Sequence, residues 1–277
     1  MALARRTAFL ILVLCGVLLS APSAVRAQSA YGPGGLFLIP SALTPPAGSV
    51  GLGSMAGVQD MWAVPVPHEH LIVSSNVAYS ATDRLQIGMT NIVMRDVTHA
   101  PSWGPFAKLR LNDETRKGPA LAISAVWIPN NHWRTEVVSL SASKSFSLTE
   151  TVNGHVHVGA MHASWLNGMN TKWHPYNPRD PEATPTAAQA RYFDPSRPIV
   201  RQAPFAGIDI GIGSYVKVTA EARYRLITDH PDSLPGFVGI VFTPHPLAVL
   251  GFAMGSDGLG ENPEFKIGVG YNISTIE

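Results

Sequence analysis

Apolar and polar residues alternate with a period of two along most of the chain after residue 45. In the clearest segment, apolar or aromatic residues occupy the even positions from Val216 to Leu226, and polar or charged residues occupy the odd positions from Lys217 to Arg225. Such alternation is typical of a β-strand whose two faces meet different surroundings. No segment with helical periodicity competes with it after residue 30.

Twelve segments of this kind are predicted to be strands, and most have the 9–11 residues that a tilted strand needs to cross a bilayer. With the N-terminus on the periplasmic side, the links on that side are short and those on the outer side are longer, above all 166–203. This asymmetry is typical of transmembrane barrels. The chain is therefore predicted to be an all-β, up-and-down antiparallel transmembrane β-barrel. The predicted strands are 48–59, 69–79, 84–95, 105–112, 119–128, 136–146, 154–165, 204–212, 215–227, 236–243, 247–255 and 264–273.

The tryptophans agree with this topology. All six fall at or near the outer ends of strands or in outer loops, the level at which amphipathic rings meet lipid headgroups. The alternative fold is an exported soluble β-sandwich or lipocalin-like barrel. A soluble barrel of twelve strands would need an apolar filling, whereas the second faces here carry Lys, Arg, Gln, Ser and Gly.

The N-terminus predicts export to the outer membrane. Arg5 and Arg6 precede an apolar run, and small residues around Ala27 suit cleavage, so residues 1–27 read as a signal peptide. Residues 28–47 are then a lead-in segment, and 48–277 the barrel. Cleavage changes the formal charge from +1 to −2, with 17 Lys and Arg against 19 Asp and Glu, which gives no basic footprint for nucleic acid. It also removes Cys15, the only cysteine.

The segment before the first strand reads Gly-Leu-Phe-Leu-Ile-Pro-Ser-Ala at 35–42. Tyr79–Leu85 contains a Thr-Asp turn that joins two predicted strands. Both resemble the YjbH-type outer-membrane proteins associated with exopolysaccharide production. The resemblance implies an outer-membrane barrel with a tie to polysaccharide, and it brings no catalytic residues. The lead-in either lines the mouth of the barrel or simply leads into strand one.

The last strand resembles the signal by which the barrel assembly machinery recognises outer-membrane proteins. The residues concerned are Lys266, Gly268, Tyr271 and Ile273, followed by an extension at 274–277. The partners expected from the sequence are therefore this machinery and outer-membrane lipid.

A polar lumen suggests a passive pore or a structural envelope component. Asp209 and Lys217 are expected to oppose each other across a hairpin whose link is 212–214. The residues expected to line the lumen are Lys108, Arg110, Asp209, Lys217, Glu221, Arg223 and Arg225.

Two further groups of residues point to other chemistries. His68 and His70, and likewise His155 and His157, place two imidazoles on one strand face, but neither pair has a third ligand nearby in sequence, so we expect no metal site. His162 and Ser164 share a face near the outer interface and resemble the His-x-Ser of lipid A deacylases. The alternative functions are thus an interfacial lipid hydrolase and an exported glycan-binding β protein, and no cofactor is expected.

Overall fold

The computed structural model describes residues 35–60, 69–94, 103–129, 134–166, 199–224, 235–256 and 264–273, apart from Leu38 and Pro246. Within these ranges, twelve antiparallel strands form one closed barrel, in which every strand pairs with its neighbours in chain order and the first also pairs with the last. The predicted up-and-down barrel is confirmed. The strands are β1 Val50–Asp60, β2 Glu69–Ser80, β3 Leu85–Met94, β4 Trp103–Asn112, β5 Ala120–Pro129, β6 Arg134–Ser147, β7 Val152–Leu166, β8 Ile199–Ile212, β9 Val216–Arg223, β10 Gly236–His245, β11 Ala248–Ser256 and β12 Glu264–Ile273.

The two faces of the wall have opposite character. Along β4, Phe106 and Lys108 are buried inside the barrel, while Leu109 on the same strand is exposed on the outside. The outward side chains form an apolar surface of the kind that contacts lipid, and the inward face is mostly polar. Large apolar side chains exposed on the outer face include Leu52, Val77, Ile87, Ile123, Leu140, Val158, Ile240, Phe252 and Ile267.

Two tryptophans can be placed on this surface. Trp103 begins β4 and Trp127 lies near the end of β5, so both stand at the barrel end opposite the start of β1. Both are exposed on the outer face. Trp62, Trp133, Trp173 and the side chain of Trp165 lie outside the described residues.

The β8–β9 hairpin differs in register from the prediction. Its link is Gly213 to Tyr215 rather than 212–214, and Asp209 is paired with Thr219, not with Lys217. The positive φ of 61° at Gly213 starts the turn one residue later than expected. Because the resulting shift in pairing is two residues, the side chains keep their faces, and Lys217 Nζ still reaches Asp209 Oδ1 at 3.7 Å along a diagonal.

Some predicted features lie outside the described residues: the signal peptide, most of the loop 166–203, Arg225 and the extension 274–277. Among the described residues, no helix is long and apolar enough to cross a membrane.

Candidate functional site

The interior of the barrel holds most of the polar residues that the sequence singled out. Lys108, Asp209, Glu221 and Arg223 are buried within it. Lys217 is only partly covered, with 30% of its side chain exposed. Charged groups therefore lie in the space that the barrel wall encloses. Each of them needs hydrogen-bond or ionic partners, because an unpaired buried charge is strongly unfavourable.

Arg110 lies at the rim rather than deep in the lumen. Its Nη2 is 3.2 Å from Asp113 Oδ1 in the link after β4. Arg84 donates to the other oxygen of the same carboxylate at 2.6 Å. This cluster joins two neighbouring links on the rim where β1 begins.

Residues 35–45 are called the plug here, and its described residues, 35–37 and 39–45, lie inside the barrel rather than at its mouth. Leu36 N donates to Ile39 O at 3.0 Å, and Gly35 bridges Pro40, so the segment folds into a tight turn. Leu36, Phe37 and Ile39 are at most 6% exposed. They join the largest buried apolar cluster, together with inward residues of the wall that include Met161, Phe205 and Phe237.

Glycines in the wall make room for these side chains. A Cβ at Gly207 would stand 2.7 Å from both Ile39 Cδ1 and Leu36 Cδ1. A Cβ at Gly239 would stand 2.4 Å from Phe37 Cε2. The apolar tip of the plug therefore fits recesses that only glycine leaves open at this distance.

Polar groups of the wall hold the backbone of the plug. Ile39 N donates to Glu221 Oε2 at 3.0 Å. Ala42 N donates to Ser143 Oγ at 2.8 Å. Both bonds are buried, and each one satisfies a main-chain donor that would be costly to leave without a partner.

Lys108 also holds the plug, but here the wall residue is the donor and the plug backbone accepts. Its Nζ donates to Ser41 O at 3.2 Å and to Leu43 O. Both acceptors are plug carbonyls, so this buried ammonium is stabilised by the segment it contacts. Charged donors form stronger hydrogen bonds than neutral ones, which makes Lys108 a principal anchor.

The plug leaves the lumen at the rim where β1 begins. Thr44 Oγ1 donates to Asp83 O, and Ala47 N donates to Asp83 Oδ1 at 2.8 Å. Gly48, with a φ of 79°, then turns the chain into β1. Its N–H donates to Ser80 O at 2.7 Å.

A second polar cluster joins β7 to β8. His155 Nδ1 is 3.1 Å from Asp209 Oδ1, and His157 Nε2 is 2.9 Å from Asp209 Oδ2. The carboxylate therefore accepts from both imidazoles. Ser143 Oγ lies 2.7 Å from His157 Nδ1. Because Nε2–H donates to Asp209, a neutral His157 accepts at Nδ1 and the Ser143 hydroxyl donates to it.

The order hydroxyl, imidazole, carboxylate in this cluster matches that of a nucleophilic relay. Ser143 is, however, only 1% exposed, and its Oγ also accepts from Ala42 N in the plug. An acyl substrate cannot approach this oxygen while the plug is in place. The arrangement therefore connects the plug to the histidine pair through Ser143.

The residues of the alternative hydrolase site are placed differently. His162 is exposed on the outer face of β7, and the side chain of Ser164 lies outside the described residues. His162 therefore has no contact with the lumen cluster.

The residues of the predicted assembly signal lie on β12. Lys266 points inward, with Nζ 3.5 Å from Glu264 Oε1 and 4.6 Å from the centroid of the Phe237 ring. Gly268 and Tyr271 border a lumen cavity of about 60 Å³ beside Phe37 and Lys217. Ile273 ends the strand and pairs with Val50, which closes the barrel.

Sequence reasoning missed the plug and the role of Ser143. An available signal was the match between the apolar Leu36, Phe37 and Ile39 and the inward glycines of later strands. The third group beside the histidine pair, Asp209, was named only as a lumen residue, because its proximity depends on the pairing of β7 with β8.

A closed barrel with an apolar outer face and a polar lumen is the fold of outer-membrane porin-like proteins. The KdgM porin has this fold, with a TM-score of 0.51 and 7% identity over 80% of this chain and 98% of that chain. The KdgM porin in complex with disordered oligogalacturonate gives a TM-score of 0.52 with the same identity, 7%, over 80% of this chain and 98% of that chain. No protein-family model matches the chain, and no curated protein matches it in sequence.

Proposed function

We propose that the protein is an outer-membrane channel for polar solutes, and that its plug controls conduction. The observation that carries the proposal is a closed barrel whose lumen is polar but is occupied by residues 35–45 of the same chain. Hydrogen bonds from Lys108 and to Glu221 and Ser143 hold this segment, while its apolar tip fits glycine recesses. A lumen with these features suits regulated rather than permanently open passage.

The chemistry of the lumen favours a hydroxyl-rich solute. Serines line much of the inner wall, including Ser124 and Ser139, whose Oγ atoms are 2.6 Å apart. Cations and anions occur together, as in the pair formed by Lys217 and Asp209, so neither sign dominates. The resemblance to YjbH-type proteins and the oligogalacturonate bound to the KdgM porin support an oligosaccharide, and the finer proposal is a role in exopolysaccharide export.

The same proposal includes the route to the membrane. The signal peptide directs export, the barrel assembly machinery recognises β12, and outer-membrane lipid covers the apolar outer face. Recovery of the mature chain from the soluble periplasmic fraction would contradict this location.

Conductance in planar bilayers tests the channel. The full mature chain is expected to give small or infrequent openings, whereas a variant lacking residues 35–45 is expected to give larger and steady ones. Heat-dependent mobility on a denaturing gel shows whether the variant is a folded barrel. A folded variant that conducts no better than the full chain would overturn the proposal.

A further inference from the structure

We propose that His155, His157 and Asp209 bind one divalent first-row transition-metal cation, of which Zn²⁺ is the representative. One ligand atom from each residue lies within 4.8 Å of the other two. The two imidazoles already contact the two oxygens of this carboxylate: His155 Nδ1 is 3.1 Å from Asp209 Oδ1, and His157 Nε2 is 2.9 Å from Asp209 Oδ2. This site does not depend on whether the barrel conducts.

The backbone places the three ligands on one face. His155 and His157 are two residues apart on β7, so both point into the lumen. Asp209 lies directly opposite His155 on β8. Ligand atoms on a tetrahedral zinc ion stand about 3.4 Å apart, given bonds of about 2.0–2.1 Å. Side-chain rotation alone can therefore bring the widest pair together, without a change in the strands.

The donor set selects the metal. Two imidazoles and one carboxylate suit zinc, copper, nickel and iron, whereas Mg²⁺ and Ca²⁺ prefer oxygen ligands alone. Three protein ligands leave at least one position for water, as in open zinc sites. Lys217, which contacts Asp209, borders the lumen cavity of about 60 Å³, whereas the three ligands themselves do not line it.

Metal binding needs no net loss of protons. In each neutral imidazole the single N–H moves from the nitrogen that faces Asp209 to the far nitrogen, and the freed lone pair binds the cation. For His157 the far nitrogen is Nδ1, whose N–H can donate to Ser143 Oγ at 2.7 Å. A hydroxyl both donates and accepts, so Ser143 serves either tautomer and orients the ring.

Lys217 is the group that opposes a bound cation. Its Nζ is 3.7 Å from Asp209 Oδ1 and partly neutralises the carboxylate. With 30% of its side chain exposed, Lys217 can move into the cavity when a cation binds. Removing its charge should therefore strengthen metal binding, a result that a merely structural cluster would not produce.

Zn²⁺ binding to the full mature chain in detergent, purified without a histidine tag, tests the site. Calorimetry is expected to show one Zn²⁺ per chain in the presence of excess Mg²⁺. His155→Ala, a change at a half-buried residue, and Asp209→Asn should each weaken binding by more than about tenfold. Co²⁺ should give visible absorption bands in the native chain that both variants lose.

Lys217→Met should strengthen Zn²⁺ binding several-fold, because it removes a positive charge that lies 3.7 Å from Asp209 Oδ1 and repels a divalent cation bound to that carboxylate. Lys217→Arg keeps the charge and should leave the affinity unchanged. Heat-dependent gel mobility checks the folding of every variant. Absence of stoichiometric binding in both the native chain and Lys217→Met would overturn the site, and so would binding that His155→Ala and Asp209→Asn leave intact in folded protein.

Discussion

The absence of a side chain at position 207 sets how closely the plug approaches β8. Gly207→Ala would place its Cβ 2.7 Å from Ile39 Cδ1 and Leu36 Cδ1, so the ends of both side chains have to move away from β8. Overpacking costs at most about 1–3 kcal/mol, and less where these flexible ends rotate. We expect more frequent or larger openings in planar bilayers. Gly270→Ala is the matched control, because the nearest atoms to its added Cβ would be 3.5 Å away; equal conductance in the two variants would show that the missing side chain at 207 does not set the position of the plug.

A carboxylate on the rim should make stability depend on pH. Glu114 accepts from Ser145 N at 3.0 Å and from Ser145 Oγ at 2.6 Å, and it pairs with Lys144 at 3.1 Å. Burial alone would raise the pKa of Glu114, but these hydrogen bonds and the lysine charge outweigh it and hold the pKa below its ordinary value of 4.5. The stabilisation is therefore complete above the ordinary pKa and is lost as the pH falls through the lower folded value.

Glu114→Gln should accordingly lower the free energy of unfolding by about 1 kcal/mol at neutral pH. The difference from the native chain should shrink as the pH falls below 4.5 and through the depressed pKa of Glu114. Urea unfolding in detergent at neutral pH and at a series of acidic pH values measures it. Glu150→Gln, at an exposed position in the next link on the same rim, is the control; a loss of stability by Glu114→Gln that persists at low pH would point to another cause.

At the scale of elements, the hairpin of β8 and β9 shows what a local pattern can and cannot predict. Alternation along β9 assigned Lys217, Glu221 and Arg223 to one face, and the structure has them pointing inward. The register depended on the turn, and Gly213 begins that turn one residue later than the sequence suggested. A shift of two residues is invisible to a pattern of period two.

The observed register can be measured with introduced cysteines. Gly211 pairs with Lys217, so Gly211→Cys with Lys217→Cys should form a disulfide readily in a chain whose mature part has no other cysteine. Gly211→Cys with Val218→Cys places the second thiol on the outer face and should not crosslink. Mobility on a non-reducing gel distinguishes the two pairs, and preferential crosslinking of the second would show that the strand has slipped.

The register in which β7 pairs with β8 could not be predicted from the sequence, for a related reason. The two strands are joined by 32 residues, 167–198, and a connection of this length does not impose a register as a short turn does. The pairs His155 with Asp209 and His157 with Gly207 arise only once the strands are paired. The histidine pair was visible in the sequence, but its carboxylate neighbour was not.

At the scale of the whole molecule, the barrel could be predicted because the same local pattern recurs in every strand. The position of the plug depends instead on contacts between residues that are far apart in the sequence. Twelve strands with the same alternation reinforce each other, so errors at their ends do not alter the fold. The plug has no such repeat. Phe37 fits inside the lumen because the wall residues next to its ring, Gly239 and Gly251, have no side chain. Period-two reasoning carries no information about a segment that belongs to no strand.

If the plug controls conduction, then fixing it to the wall should close the channel reversibly. Ile39→Cys with Gly207→Cys introduces two thiols where the Ile39 side chain meets the recess, since a Cβ at 207 would lie 2.7 Å from Ile39 Cδ1. The shorter cysteine removes the isoleucine tip that lies against position 207, so its thiol and the one at 207 are neighbours. Oxidised protein is expected to conduct less than the native chain in planar bilayers, because the crosslink removes the displaced state of the plug. A reductant should raise its conductance above the native level, because the reduced variant lacks the apolar tip. Ile39→Cys alone should conduct in the same way under both conditions; insensitivity of the double variant, once its disulfide is verified by mass, would mean that solute does not pass the plug.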